Sequence, residues 1–179
     1  MMSLLLCLGA GSMNAQNFRF KELLSWMDFN YQGKTIQDYK AYGKSNDMDL
    51  IFEKEAFSET YLVYGKGLTY SRADDIEMTF SKTAEDAFGL ELDLTPNVGN
   101  YYNPITITVI FKDRDAQQKF RQDGLKMGCI ENDDMQDTNF GLDWKNVTGI
   151  KYNAAPKVLT TWRFVYFYEK DGLFMATFQ

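Results

Sequence analysis

Period-two alternation of apolar and polar residues constrains the fold of this chain more than any other feature. Ile76, Met78 and Phe80 alternate with Glu77 and Thr79; Leu90, Leu92 and Leu94 alternate with Glu91 and Asp93; Ile105, Ile107, Val109 and Phe111 form a third run. Successive side chains on a strand point to opposite faces, so each run assigns one face to a core and one to water. A fourth region pairs residues 159–169 with residues 173–178 across Asp171-Gly172, a dipeptide that favours the two-residue turn of a hairpin. Leu50 and Phe52 are expected to begin one short strand, and residues 61–64 to lead through Gly65-Lys66-Gly67 into residues 68–71 as a hairpin. Weaker strand patterns occur near residues 140–144 and 147–152.

Helical spacing governs two other segments. Phe20, Leu23, Leu24 and Met27 fall on one stripe with Trp26 beside it, and residues 30–33 interrupt the pattern. Thr35 is placed to cap a short continuation that carries Ile36, Tyr39 and Tyr42 and ends at Gly43. Two helices, or one broken helix, satisfy this segment equally. After the strand at 105–111, Asp115 and Gln118 have the spacing of a capping box, and Ala116, Phe120, Gly124 and Met127 share an inner face. Gly128 sits where a helix ends.

Helix, antiparallel strands, helix, antiparallel strands is an α+β order rather than that of a parallel α/β sheet. The expected architecture is a helix followed by an antiparallel β-meander, repeated twice, with the helices packed on one face of the sheet. The division falls in residues 98–104, giving a first helix-plus-meander half at 17–98 and a second strand-helix-meander half at 99–179 within one compact unit. Tyr64-Gly65-Lys66-Gly67-Leu68 set beside Tyr168-Glu169-Lys170-Asp171-Gly172-Leu173 is the sequence support for a repeat.

Residues 1–16, MMSLLLCLGAGSMNAQ, carry no charge and drift from an apolar run into small residues. That is the layout of a secretory signal peptide, and it is shorter than the roughly 20 apolar residues of a membrane span. Export to the periplasm, cell surface or medium of a bacterium is therefore expected, with no transmembrane span. The body that remains, about 160 residues, is large enough for one continuous core.

Composition removes several chemistries. The chain contains no histidine, so Ser-His-Asp and Cys-His catalysis and the usual zinc hydrolase sites are excluded. Of its two cysteines, Cys7 lies in the leader; Cys129 alone cannot form an internal disulfide and is expected as a buried apolar residue. A formal net charge of -6 without a basic run argues against nucleic acid or anionic lipid as a partner.

The remaining motifs are mostly imitations. Gly33-Lys34-Thr35 and Gly43-Lys44-Ser45 look like the end of a phosphate loop, but Asp28 and Asp38 stand where that loop requires its first glycine. Residues 131–137 are acidic, yet no frame supplies the turn glycine and closing glutamate of a calcium loop; starting from Asp137, Leu142 and Thr148 take those places. Glu77, Glu91, Asp93 and Asp143 could supply the carboxylate pair of a glycoside hydrolase, although outward strand positions are commonly acidic. No catalytic residue, metal ligand or cofactor is assigned.

The terminal hairpin holds the candidate binding residues. Val165, Phe167, Phe174, Ala176 and Phe178 share one face, which is core in character. Trp162, Phe164, Tyr166, Tyr168 and Met175 share the other, and Trp and Tyr suit a surface that is apolar in body and wet at the tip. Tyr101-Tyr102 and Trp144 are possible additions. Such a ladder serves a protein partner or a sugar; it also serves a strand pair covered on both sides.

Ala15-Gln16 at the leader's end, Leu24 to Met27, Tyr39 to Gly43 and the helix end running from Phe120 to Gly128 resemble short exported proteins of Bacteroidetes-type bacteria. The resemblance runs over most of the chain and implies location and architecture, with no activity attached. The helix-plus-meander order is also similar in topology to β-lactamase inhibitory protein and to PepSY-like envelope domains. Together these readings point to an exported, non-catalytic binding or interaction domain that uses a sheet face toward an envelope or extracellular protein. The alternative is a carbohydrate-binding module that uses the aromatic ladder on a glycan.

Overall fold

The computed structural model describes residues 18–56, 58–73, 77–132, 143–153 and 162–179. The leader at 1–16 with Cys7, Ile76, the acidic run at 133–137 and the strand pattern at 140–142 lie outside the described residues, as does the start of the long strand at 159–161.

The described residues form an α+β fold with a mostly antiparallel sheet. In chain order the elements are α1 (Phe20–Trp26), β1 (Lys34–Thr35), α2 (Ile36–Ser45), β2 (Asp49–Glu55), β3 (Thr60–Lys66), β4 (Leu68–Ala73), β5 (Glu77–Lys82), β6 (Phe88–Pro96), β7 (Tyr101–Phe111), α3 (Arg114–Lys126), β8 (Ile130–Glu131), β9 (Lys145–Asn153), β10 (Trp162–Lys170) and β11 (Leu173–Phe178). One nine-stranded sheet runs β2-β3-β6-β7-β11-β10-β9-β8, with β1 added beside β7, and β4 and β5 form a separate two-stranded sheet. The segment at 98–104 is the tight end of the β6–β7 hairpin, with Gly99 at φ 76° and Thr95 paired to Asn103. The sheet is therefore continuous across it.

The alternating runs build the first core. Leu90, Leu92 and Leu94 of β6, Ile107, Val109 and Phe111 of β7, and Val165, Phe167, Ala176 and Phe178 of β10 and β11 all face the helices. Phe20, Leu23, Leu24 and Trp26 of α1, Tyr39 of α2 and Phe120 of α3 fill that side, which places all three helices against one face. Phe20, Phe120 and Phe178 form an aromatic knot with centroids 5.1–6.0 Å apart.

Several local expectations hold and others are corrected. The first helical segment is two helices, separated by β1 and by Gly33 at φ 81°. Thr35 caps α2 in a full capping box with Asp38, and the helix passes Gly43 to end at Ser45. Gly43 is needed for space: a Cβ there would stand 2.4 Å from Cδ1 of Tyr64. The cap of α3 is Asp113, whose carboxylate accepts the Ala116 N–H at 2.7 Å, rather than the Asp115–Gln118 pair. Phe120 and Gly124 are buried on its inner face as expected, Gln117 joins them, and Met127, just past the helix end, is 37% exposed.

The largest correction concerns residues 61–71. β3 and β4 do not pair as a hairpin; β3 lies between β2 and β6, and β4 pairs with β5. Gly67, at φ 61°, turns the chain out of the main sheet, a conformation that costs a residue with a Cβ. The excursion carries Leu68, Phe80 and Ala87 over the face opposite the helices, where they meet Val63, Ile110, Tyr166, Tyr168, Leu173 and Met175 in a second core. The Asp171-Gly172 turn is as expected: both residues have positive φ, 52° and 74°, as a type I′ hairpin requires.

The paired motifs at 64–68 and 168–173 differ in orientation. Tyr64 belongs to the helix-side core and Tyr168 to the second core, so the aligned tyrosines point to opposite faces.

Candidate functional site

The five ladder residues share one face, as the register of β10 and β11 requires: Tyr168 pairs with Met175 and Tyr166 with Thr177. Their exposure divides along the strand. Tyr166, Tyr168 and Met175 are 6%, 3% and 3% exposed, sealed under the second core, whereas Trp162 and Phe164 are half-buried. Lys151 Nζ sits 5.3 Å from the Trp162 ring centroid, and Phe164 and Tyr166 lie nearly parallel with centroids 6.1 Å apart. Burial and the charge of Glu91 push the Tyr168 phenol above the ordinary tyrosine range. From the other side of the sheet, Gln117 Nε2 donates to the carbonyls of Tyr168 and Met175 at 3.0 and 2.8 Å. That bond pair anchors α3 to the terminal hairpin.

Beside the sealed end of the ladder, the same face opens into a groove of about 210 Å³. Its floor is set by register. Glu91 of β6 stands opposite Thr108 of β7, Thr108 opposite Thr177 of β11, and Thr177 opposite Tyr166 of β10. One step along, Tyr61 of β3 stands opposite Asp93, and Asp93 opposite Thr106. The two rows put carboxylates and hydroxyls in the middle of the sheet, at positions that would be apolar if the second layer were continuous. The hydroxyls are connected: Thr108 Oγ1 and Thr177 Oγ1 are 3.0 Å apart, and Thr177 Oγ1 is 3.0 Å from the Tyr168 hydroxyl.

The rings of Tyr61, Phe80 and Trp144 flank this floor. Trp144 stacks flat on Tyr168 with centroids 3.6 Å apart. Lys170 reaches the rim and is held by Asp143 at 2.9 Å; that hydrogen bond keeps the Asp143 carboxyl below the usual carboxylate range. Of the four carboxylates singled out in the sequence, Glu91 and Asp93 line the groove, Asp143 stands at its rim through Lys170, and Glu77 lies on β5.

Glu91 corrects one expectation in detail. Its place in the alternation is an outward one, yet it is 8% exposed because the β4–β5 excursion and the Trp144 segment cover that face. Tyr61, Thr106, Thr108 and Thr177 were not singled out by sequence. The available signal was a set of threonines interrupting otherwise apolar strands at 106, 108 and 177. Tyr101 and Tyr102 do not join the groove: they pair with β1, and the Tyr102 carbonyl accepts from Tyr39 at 3.0 Å.

A larger cleft of about 500 Å³ lies between α3 and the β9–β10 edge, but its charges are matched internally. Arg114 pairs with Glu169, Asn146 Nδ2 donates to the same carboxylate at 2.9 Å, and Arg121 pairs with Glu131. Cys129 is buried and its thiol is pushed up to about 11 by desolvation, the setting of an unreactive thiol. Among the described residues no group of three or more Cys, Asp or Glu side chains is placed to hold a metal ion, and no helix is long and apolar enough to cross a membrane. Comparison with protein-family models, with curated proteins and with solved structures finds no match.

Proposed function

We propose that the chain is an exported, non-catalytic binding domain that takes its ligand in the groove on the sheet face opposite the helices. One observation carries this reading: Glu91, Asp93, Thr106, Thr108 and Thr177 form a polar floor at central sheet positions, with aromatic side chains rising around it. A sheet face meant only to be covered would carry apolar residues there, because burying carboxylates and hydroxyls costs free energy. A small concave site with few convergent polar groups and aromatic walls is the common form of a ligand site.

The non-catalytic part rests on the placement of the carboxylates. Glu91 and Asp93 are two residues apart on one strand and project from the same side of the sheet, about 7 Å apart at their Cα atoms. Glycoside hydrolysis sets its two carboxyl groups on opposite sides of the bond that breaks. Export rests on the leader at 1–16, and an envelope or extracellular protein is the partner class it implies. We also propose that the fold is two diverged helix-plus-meander halves. The support is that α2-β2-β3-β6 and α3-β9-β10-β11 each run from an outer strand inward and meet on either side of β7.

A carbohydrate-binding module is the second reading. It is favoured by Trp162 and Phe164, which stay half-buried at the open end of the ladder, where a pyranose can lie on a ring.

Titration of the ¹⁵N-labelled chain with a panel of amines, carboxylates, amino acids and methyl glycosides tests both. Chemical-shift changes confined to the groove amides, lost in Thr106→Tyr, are expected. Changes centred on Trp162 and Phe164 with glycosides alone select the second reading. Turnover of any panel member overturns the non-catalytic assignment.

A further inference from the structure

We propose that a second pocket, on the helix side of the sheet, takes an organic monoanion: a carboxylate on an apolar body of one ring or a short chain. The inference goes beyond the groove and does not rest on it. Leu24 and Met27 at the end of α1, Met127 just past α3, Tyr152 of β9 and Arg163 of β10 line this pocket. Register places the last two. Tyr152 stands opposite Arg163 and packs against the helix-side core, so both project toward the helices.

Arg163 is the first argument. Its Nε is buried without a hydrogen-bond partner. Its guanidinium meets the Phe29 ring, with Cζ 5.2 Å from the centroid, and no carboxylate among the described residues. A ring face attracts the cation but leaves its charge in place and accepts no bond from its in-plane N–H groups. A buried charged donor without an acceptor is costly, and native structures hold few of them. An incoming carboxylate supplies that acceptor in the geometry that the guanidinium fork prefers.

Charge and walls set the class. Lys21 joins Arg163 at the pocket and Asp28 opposes them, so two cations against one carboxylate leave a formal +1. Asp28 Oδ1 already accepts the Asn30 N–H at 3.0 Å. The C-terminal ends of α1 and α3 adjoin the pocket, and their last carbonyls add partial negative charge. A singly charged ligand suits that balance; a phosphate or sulfate dianion does not. Leu24 and Met27 give a buried apolar wall and Met127 an exposed one, and methionine adapts to varied apolar shapes. The volume, about 150 Å³, is that of a cavity able to hold a benzene ring.

The same chemistry has two sources, a free carboxylic acid and the C-terminal carboxylate of a partner chain that ends in an aromatic residue. The experiment is a titration of the full chain with phenylacetate, hexanoate, acetyl-glycyl-phenylalanine and the neutral phenylacetamide, followed by the amide shifts of residues 21–28, 127, 152 and 163. Phenylacetate is expected to bind at least about tenfold more tightly than phenylacetamide, and to weaken about tenfold in Arg163→Gln. The urea midpoint of the ligand-free variant is expected to stay near wild type, because the Nε has no hydrogen bond to lose. Met127→Trp, at an exposed position, fills the pocket and repeats the test should Arg163→Gln fail to fold. Binding of the peptide without the free acids assigns the site to a chain terminus, and the reverse assigns it to a free acid. Equal binding of phenylacetate and phenylacetamide, or undiminished binding by Arg163→Gln, overturns the carboxylate assignment. No shift of these amides with any probe overturns the site itself and leaves the groove, on the other face, standing.

Discussion

The indole of Trp144 lies on the ring of Tyr168 with their planes within 1° and centroids 3.6 Å apart. Trp144 belongs to no regular element, so this stack fixes the segment leading into β9 against the sheet. It also forms one wall of the groove. Trp144→Ala is expected to cost about 2 kcal/mol, from lost ring contact and partial burial, and to remove most near-ultraviolet ellipticity from the Trp144–Tyr168 pair. A urea midpoint matching wild type would mean the stack does not hold this wall.

The Tyr168 hydroxyl is the end of a chain that runs through Thr177 to Thr108, across three strands, with both links at 3.0 Å. Thr177 is its hub. Thr177→Val leaves two buried hydroxyls without that partner and is expected to cost about 1–3 kcal/mol, whereas Tyr168→Phe leaves the Thr108–Thr177 link intact and costs about 0.5–1.5 kcal/mol. Chemical denaturation of the two variants gives the order. Tyr168→Phe proving the more damaging would place the weight on the phenol instead.

Gly43 lies inside the last turn of α2, where alanine would normally favour the helix by about 1 kcal/mol. Here an added Cβ would stand 2.4 Å from Cδ1 and 2.7 Å from Cε1 of Tyr64, whose ring is 1% exposed. Overpacking outweighs propensity, and Gly43→Ala is expected to destabilise by about 1–3 kcal/mol net. A stabilised variant in thermal unfolding would show that Tyr64 has room to move.

The fold class, the core faces of β6, β7, β10 and β11, the Thr35 cap and the Asp171-Gly172 turn were legible because each is set by local spacing. The path after Gly67 was not. Residues 61–71 carry a hairpin pattern, and only the competition among β2, β4 and β6 for the edges of β3 decides which strands pair. That competition is tertiary, and its result covers Glu91, whose alternation marks it for water. The candidate site was legible in pieces for the same reason. Glu91, Asp93, Trp144 and Tyr168 stand out singly, but the register that sets Glu91 beside Thr108 and Thr177 links residues up to 86 apart in the numbering. The ladder's common face followed from period two; its burial depended on what β4 and β5 do.

Asp38 gives an acid-side prediction. Hydrogen bonds from the Thr35 hydroxyl and the Thr35 N–H hold its carboxyl below the usual range. A depressed native pKa contributes stability that is present above the ordinary carboxylate value, about 4, and is lost as pH falls through the lower native value. Asp38→Asn is therefore expected to lower the melting temperature at pH 7 and to bring the wild-type and variant curves together as pH falls from the ordinary carboxylate value through the lower native one. Curves that stay parallel through that range would show that the capping box does not depend on the ionised carboxylate.

Cys129 gives the alkaline counterpart, with the opposite sign. Desolvation raises its thiol from the ordinary 9.0 to about 11, so the folded state holds a proton that the unfolded chain releases first. The linked stability is fully present below the unfolded value and falls as pH rises between the two. Buried tyrosines such as Tyr39 and Tyr64 are also pushed up by desolvation and contribute a loss of stability in the same direction, so the informative quantity is the difference between wild type and Cys129→Ala. That difference is expected to be flat up to pH 9 and to shrink in the variant's favour from there to pH 11, while a thiol reagent at pH 8 labels native Cys129 only at the rate of unfolding. Rapid labelling of the folded chain, or a difference that stays level through pH 11, would mean the thiol is open to water and its burial beside Gly128 is not maintained in solution.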